Sequence, residues 1–573
     1  MNTETKPILA FSAFSFKYTA QKEATLHDIT LNIFPGEKIL IVGPSGSGKS
    51  TLGNCINGLV PNAFPGTVSG RFEVGGETTE GKSIFDLSAL VGTVLQDPDG
   101  QFVALNAGED IAFALENECV PQNEMVPRVA DLARLVAMEP HLDKSPQDLS
   151  GGQKQRITLA GVLTNDAPIL LFDEPLANLD PATGKQAMEL IDDLYKTTGK
   201  TIIIIEHRLE DVLHRPVDRI VVLENGRITA DLPPADILSR PILSRAGIRE
   251  PLYLAALRYA GEPPAPEKHP QQVETVAFSP AKLAAWDAAQ PEEAHQTRGK
   301  PILALDTLSF SWDTAGTAPP VLDRVSLTLH AGERVSLVGK NGAGKSTLAK
   351  IVCGFETPSS GSLYFDGEDL SRLSIKERAG KIGYVMQNPN QMISHPMIFD
   401  EVAFGLRNRG VPAQEAEQRV HEALETCGLF PFRNWPISAL SFGQKKRVTI
   451  ASILVLNPEL IILDEPTAGQ DFRHYTDIMD FLESLNSTTG LSLLMITHDM
   501  HLMLEYTTRA MVLSDGKLIA DDTPAKILTN DDIIEQASLK RTSLYDLALR
   551  AGLSHPDGFV QRFIEYDRKE RRR

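Results

Sequence analysis

The chain has 573 residues, of which 42% are hydrophobic and 23% charged; this is the composition of a soluble globular protein too long for a single core. Its formal net charge of −19 disfavours a broad nucleic-acid-binding surface, which needs clustered positive charge. The four cysteines are widely spaced, and no apolar run approaches the roughly 18 residues of a membrane helix. We therefore expect a reduced cytosolic protein that would serve a membrane only through a partner.

Two glycine-rich segments fit the phosphate-loop pattern G-x-x-x-x-G-K-[ST]. Each follows an apolar strand and opens a helix, where successive backbone N–H groups converge on phosphate. The lysine would neutralise the β- and γ-phosphates, and the serine hydroxyl would face Mg²⁺. The predicted ATP-binding residues here are Gly43, Pro44, Ser45, Gly46, Ser47, Gly48, Lys49, Ser50 and Thr51, with Gly339, Lys340, Asn341, Gly342, Ala343, Gly344, Lys345, Ser346 and Thr347.

Downstream, the same chemical residues recur at a spacing of 291 positions. The pairs are Gln96 with Gln387, Ser150 with Ser441, Asp173 with Asp464, Glu174 with Glu465, and His207 with His498. The two phosphate-loop lysines are five positions further apart, because the first copy has extra residues within 59–69, which we predict to be a Pro/Gly-rich loop. The sequence thus predicts two nucleotide sites in one polypeptide.

The acids and histidines lie at the ends of continuous apolar strands. Such strands predict a parallel sheet covered by helices on both faces. Asp173 and Asp464 would hold Mg²⁺ through water, and Gln96 and Gln387 would ligate it, together with Ser50 and Ser346. Glu174 and Glu465 would polarise the attacking water. For His207 and His498 we predict a γ-phosphate-sensing role; a structural histidine at a strand end is the alternative.

Two further pairs extend each site. Tyr18 and Trp312 precede the phosphate loops and would stack on adenine, unless they only pack on an edge strand. Serine and glycine N–H groups at a helix start form a second anion site in each copy. Its residues are Ser150, Gly151, Gly152 and Gln153 in the first copy, and Ser441, Gly443 and Gln444 in the second.

Asn225-Gly226 and Asp515-Gly516 are predicted hairpin turns closing the repeats. We expect a first nucleotide-binding domain at 7–260, a solvated linker at 261–300 with a helix near 280–289, a second domain at 301–540, and a helical appendage with a basic tail at 541–573. The pattern Leu-Tyr-x-x-x-Leu-Arg occurs twice, starting at Leu252 and at Leu544, and predicts a helical appendage on each domain. It would pack on its own domain or contact the other half.

With both anion sites present, the sequence resembles a duplicated ATP-binding cassette (ABC) ATPase over nearly its whole length outside the linker. The resemblance implies an α/β fold of two P-loop NTPase domains, each with a mainly parallel sheet, an antiparallel β part and a helical subdomain. It also implies that the cassettes pair head to tail within the chain, each signature capping the opposite ATP, with Asp180 and Asp471 in the linking loop. Phe442 replaces a signature glycine; we predict that the affected site, with Lys49, Glu174 and His207, still hydrolyses ATP.

Less specific motifs resemble those of the ATPase subunits of energy-coupling factor (ECF) importers. They include the segments after Gln96 and Gln387 and the run Glu206 to Glu210. This resemblance implies import of a vitamin or transition-metal ion. The partners would be integral-membrane coupling and substrate-binding subunits, one such chain would serve each transporter, and the chain would lie at the inner face of the cell membrane. Phe102 and Met392 to Pro396 would form the docking region. The alternative is a soluble tandem ABC ATPase acting on ribosomes or nucleic acid.

Overall fold

The computed structural model describes residues 6–96, 100–177, 179–291, 299–313, 319–468, 470 and 472–571. The chain divides into two compact units, Met1–Lys282 with Asp471–Arg473, and Leu283–Gln470 with His474–Arg573. Across these described ranges, no helix has both the length and the apolar character needed to cross a bilayer.

The first unit contains two sheets. A four-stranded antiparallel sheet has the order β2-β1-β4-β5, and a six-stranded sheet has the order β10-β9-β3-β8-β7-β6 with only β10 antiparallel. The strands are β1 Leu9–Tyr18, β2 Leu26–Ile33, β3 Lys38–Val42, β4 Gly66–Val74, β5 Glu77–Thr78, β6 Val91–Val94, β7 Ile169–Asp173, β8 Thr201–Ile205, β9 Arg219–Glu224 and β10 Arg227–Leu232.

Helices cover the six-stranded sheet and form a separate group between β6 and β7. They are α1 Lys49–Ile56, α2 Leu59–Asn62, α3 Ile84–Ser88, α4 Ala107–Asn117, α5 Gln122–Leu135, α6 Gly151–Leu163, α7 Pro181–Thr198, α8 Leu209–Val212, α9 Pro234–Ser239, α10 Ile242–Arg245, α11 Leu252–Tyr259 and α12 Pro280–Ala288. The unit boundary lies within α12.

The second unit repeats this plan, with sheet orders β12-β11-β14-β15 and β16-β17-β18-β13-β19-β20. Its strands are β11 Pro301–Phe310, β12 Leu322–His330, β13 Arg334–Val338, β14 Ser360–Phe365, β15 Glu368–Asp369, β16 Ile382–Val385, β17 Leu460–Asp464, β18 Ser492–Ile496, β19 Arg509–Ser514 and β20 Lys517–Asp522. Its helices are α13 Lys345–Cys353, α14 Ile375–Arg378, α15 Ile398–Asn408, α16 Ala413–Thr426, α17 Phe442–Leu454, α18 Phe472–Thr489, α19 Met500–Tyr506, α20 Pro524–Ile527, α21 Asp531–Gln536, α22 Ser543–Arg550 and α23 Pro556–Arg571.

The uniformly apolar strands form the parallel core as predicted. β3 and β8 are buried along their whole length, because helices cover both faces of the sheet. The hairpin prediction is confirmed too: Asn225 and Gly226 have φ of 47° and 73°, Asp515 and Gly516 have 45° and 76°, and both turns join antiparallel strands. The predicted fold class, two P-loop α/β domains, is confirmed.

Three expectations from composition need correction. Residues 59–69 are not a simple loop, because α2 and the start of β4 lie there, and β4 pairs with β1 as far as Tyr18 opposite Gly66. The segment 261–300 is not fully solvated, since Val273, Val276 and Leu283 are buried. These apolar side chains are packed inside folded parts of the protein, so the segment is not a free linker along its whole length. The residue numbers predicted for the limits of the domains and the linker stay a prediction.

The predicted basic tail is the third correction. Its residues up to Arg571 belong to α23, which buries Phe559 and Phe563. Arg568 pairs with Glu483, and Arg571 lies 2.9 Å from Glu505 and 2.7 Å from Asp567. The arginines are therefore held by carboxylates of their own unit rather than extended into solvent. The helix predicted near 280–289 is confirmed as α12. The two copies of the Leu-Tyr-x-x-x-Leu-Arg pattern also lie on helices, the first on α11 and the second on α22.

Candidate functional site

Each phosphate loop curls around its own lysine at the start of a helix. Nζ of Lys49 donates to the carbonyls of Gly43 at 2.7 Å and Pro44 at 3.0 Å. Lys345 makes the same bonds to Gly339 at 2.8 Å and Lys340 at 2.9 Å. The close packing demands glycine, since a Cβ on Gly43 would lie 2.2 Å from the carbonyl oxygen of Leu223. Both loops thus aim an ammonium group and a helix N-terminus at one point, which suits a polyphosphate.

The strand-end aspartates lie next to the phosphate loops and differ in their partners. Burial and the charge of Glu174 raise the pKa of Asp173 to about 6, although Lys49 opposes the shift. Oδ1 of Asp173 is buried and, among the described residues, has no hydrogen-bond partner. Asp464 instead accepts from the Tyr384 hydroxyl at 2.8 Å and is hydrogen-bonded to Ser346.

These oxygens fit a hard divalent cation. Mg²⁺ prefers oxygen ligands and keeps several waters, so a carboxylate oxygen without a partner beside a phosphate site is a suitable outer ligand. Ser50 and Asp173 in the first unit, and Ser346 and Asp464 in the second, are the residues that would hold it.

The glutamate after each aspartate has an unusual backbone. Glu174 has φ of 48° and Glu465 of 45°, in the left-handed region that costs a non-glycine residue roughly 1 kcal/mol or more. The turn is held by the N–H of Glu174 donating to Ile205 at 2.8 Å, and that of Glu465 to Ile496 at 2.9 Å. Burial raises the pKa of Glu174, opposed by nearby His207. A carboxylate held in this way is preorganised rather than freely mobile.

The histidines and the loop glutamine contact these glutamates differently in the two units. Nε2 of Gln96 donates to Oε2 of Glu174 at 2.7 Å. Nδ1 of His207 lies 3.8 Å from Glu174 and 3.2 Å from the fully buried Glu206. Nδ1 of His498 lies 2.8 Å from Oε1 of Glu465. The structure therefore brings the predicted glutamine, acids and histidine of the first unit together, and the acids and histidine of the second.

The predicted signature residues begin helices α6 and α17. Ser150 and Gln153 form a reciprocal cap, with bonds of 3.3 Å and 2.9 Å, and Ser441 and Gln444 repeat it at 3.3 Å and 3.0 Å. Phe442, the glycine replacement, is 42% exposed and leaves the cap intact. Both units therefore keep a capped helix N-terminus at this position, an end that favours anions. Asp180 caps α7; Asp471 lies outside the described residues.

The two predicted adenine-stacking rings have different surroundings. The Tyr18 hydroxyl lies 3.1 Å from Oγ1 of Thr51, and its ring meets Phe16 edge-on at 4.8 Å. Trp312 is 57% exposed and meets Phe310 edge-on, also at 4.8 Å. Tyr18 ends β1, and Trp312 lies two residues beyond the end of β11 with an accessible face.

Three site residues were missed by sequence reasoning. Glu206 accepts backbone N–H groups of Leu176, His207 and Arg208 at 2.9–3.2 Å. Tyr384 binds Asp464, and Lys446 donates to the loop that carries Gln387. Each differs in type from its counterpart at the 291-residue spacing, which is Thr497, Thr93 and Gln155 respectively. Comparing the repeats for differences as well as identities would have found them.

Two family models match the chain. The model for ABC transporters matches residues 26–177 and 322–468, which hold the phosphate loop and the strand-end acids of both units. A second model, described as ATP-binding cassette cobalt transporter, matches residues 240–310. That second range includes α11, α12 and the whole segment predicted as a linker.

Several proteins are similar along their whole length. One from Enterococcus faecalis is 56% identical over 99% of both chains, and one from Clostridium perfringens is 53% identical over 99% of this chain and 100% of its own; both carry the name ABC transporter ATP-binding protein. A solved structure, cbiO1 from Clostridium perfringens, described as part of the ABC transporter complex cbiONQ, matches at 33% identity over 41% of this chain and 94% of that one, with a TM-score of 0.38.

Proposed function

The chain belongs to the family of ABC transporter ATP-binding proteins, and on this premise we propose that it is the motor of an ECF-type membrane importer. Proteins of this family are ATPases coupled to transport. The cargo class we propose is a vitamin or a transition-metal ion. Support for the metal ion comes from the match of residues 240–310 to a family described as a cobalt transporter.

The observation that carries the proposal is the complete catalytic set in each unit. Lysine, aspartate, glutamate and histidine converge beside one phosphate loop in both. Glu174 and Glu465 orient and polarise the attacking water, and the histidines sense the γ-phosphate. Mg²⁺, when bound, supplies charge neutralisation on the phosphates. Two working sites distinguish a motor from a regulatory ATP-binding protein.

On family grounds we further propose that the cassettes pair head to tail within one chain. Each ATP would then be completed by the signature of the other cassette, so one chain would serve one transporter at the inner face of the membrane. The cassettes would close on two ATP molecules and reopen after hydrolysis, and this motion would drive the membrane partner.

Docking of a membrane partner is supported by exposed apolar side chains after Gln96. Val103 is 63% and Leu105 84% exposed, while Phe102 and Met392 are half-buried. The turn that presents them is braced, because Oδ1 of Asp110 accepts the N–H of Val103 at 3.0 Å. Exposed apolar groups on a fixed turn are suited to burial against another protein.

The test is purification from membranes with identification of the hydrophobic subunits that accompany the chain. We expect integral-membrane partners to be recovered, and Leu105→Glu to reduce their recovery without reducing basal ATP hydrolysis. Recovery with ribosomes or nucleic acid and no membrane protein would contradict the transport proposal and favour a soluble tandem ATPase.

A further inference from the structure

In the second unit, the signature helix holds the loop that carries Gln387. Lys446 on α17 is 1% exposed, and its Nζ donates to the carbonyls of Met386 at 2.9 Å and Gln387 at 2.8 Å. Met386 directly follows β16, so these bonds fix the point where the loop leaves the sheet. A buried ammonium and two carbonyls satisfy one another here, and removing the donor would leave two acceptors without a charged partner.

The first unit uses another arrangement at the same positions. Gln155, the counterpart of Lys446, donates to the carbonyl of Pro175 at 2.5 Å, next to Glu174. The loop is held instead by its own Gln101, whose Oε1 accepts the N–H of Leu95 at 2.8 Å and whose Nε2 donates to Thr93 at 3.1 Å.

The second unit has Met392 where the first has Gln101. The Sδ of Met392 accepts the N–H of Met386 at 3.1 Å, but a thioether has no N–H to donate to a carbonyl. Lys446 supplies a donor to this loop, at the carbonyls of Met386 and Gln387. The two positions therefore differ together: Gln101 with Gln155 in the first unit, Met392 with Lys446 in the second.

We propose that Lys446 is a positioning residue that ties the Gln387 loop to the signature helix α17, so that helix and loop move as one body in the second unit. The inference rests on the proposed function, since its effect is on how that unit holds its metal–nucleotide. It makes Lys446 and Met392 a source of asymmetry between the sites that is separate from Phe442.

The test is Mn²⁺ binding to the full chain with a non-hydrolysable ATP analogue, followed by electron paramagnetic resonance. For the unmodified chain we expect two Mn²⁺ sites. In Lys446→Gln one of them should weaken by about tenfold, because a hydrogen bond to a charged donor is lost. Lys446→Gln with Met392→Gln recreates the first unit's pair and should restore affinity to within about twofold. Arg447→Gln, at the next position of the same helix, is the charge-matched control, because its guanidinium donates to the carbonyls of Cys427 and Asp477 rather than to the Gln387 loop.

Unchanged Mn²⁺ affinity in Lys446→Gln, or failure of Met392→Gln to restore a lost site, would overturn the inference. If Lys446→Gln does not fold, the double variant decides alone: it should fold and bind two Mn²⁺, and failure to do so counts against the coupling. An unmodified chain that hydrolyses no ATP would contradict the proposed function instead, so the two failures are distinguishable.

Discussion

His498 places its Nδ1 2.8 Å from Oε1 of Glu465. The matching distance from His207 to Glu174 is 3.8 Å, and the imidazole of His207 lies closer to Glu206. Thr497 occupies the position of Glu206 in the second unit, and its hydroxyl donates to Glu465 at 3.3 Å. The same catalytic residue types are therefore held by different neighbours, which predicts two working but unequal sites.

The first prediction concerns the two glutamates. Glu174→Gln and Glu465→Gln keep the side-chain shape but remove the proposed base, which should slow the affected site by roughly 100-fold or more. Because both units retain the full set, we expect each variant alone to lower steady-state ATP hydrolysis by at least about half.

Nucleotide binding is the control for both variants, since the phosphate-loop lysines are unchanged. If only one variant lowers turnover, the chain has a single working site. Loss with Glu465→Gln alone would mean that Phe442 inactivates the site built on Lys49 and Glu174.

The sequence predicted the strands and acids well because these depend on local patterns. A continuous apolar run ending in Asp173 specifies a buried parallel strand, and Gly43 and Gly48 specify a tight loop. It did not predict that Arg568 and Arg571 pair with Glu483 and with Glu505, which lie 85 and 66 residues away. Such contacts depend on tertiary packing, which a charge run at a chain end does not reveal.

Trp312 provides a second prediction. Its exposed indole precedes the second phosphate loop, and stacking on a base contributes about 1–3 kcal/mol. We expect ATP to quench tryptophan fluorescence, and Trp312→Ala to abolish this signal and weaken ATP binding at that site by about tenfold. Trp435→Phe, also at an exposed tryptophan, is the control; quenching that survives in Trp312→Ala would favour the edge-strand role.

A third prediction concerns acid stability and Glu483. Burial alone would raise the pKa of Glu483, but hydrogen bonds from Arg568 and Arg334 outweigh it and lower the pKa from 4.5 to about 2. A carboxylate with a lowered folded pKa stabilises the fold above its unfolded pKa, and this contribution is lost as pH falls from about 4.5 towards 2. Its size at neutral pH is about 3 kcal/mol.

We therefore expect Glu483→Gln to lower the unfolding midpoint of the second unit at pH 7 and to flatten its decline below pH 5. Glu415→Gln is the matched control, because Glu415 lies 3.6 Å from Arg419 on an exposed surface and such pairs contribute little. Equal pH profiles for unmodified chain and Glu483→Gln, measured by thermal denaturation, would contradict the assignment.

The last prediction concerns the contact between α12 and the C-terminal helix α23. Arg562 makes a two-pronged bond to Asp287 at 2.7 Å and 2.8 Å, beside Trp286, which meets Tyr566 edge-on at 5.4 Å. Asp287→Arg or Arg562→Asp alone places like charges together and should lower the unfolding free energy of the second unit by about 2 kcal/mol. The double exchange restores the pair in reverse and should recover most of that loss. Trp286 fluorescence, measured in a chain whose Trp312 and Trp435 are replaced by Phe, reports the contact during denaturation; single variants as stable as the unmodified chain would show that α23 does not hold α12.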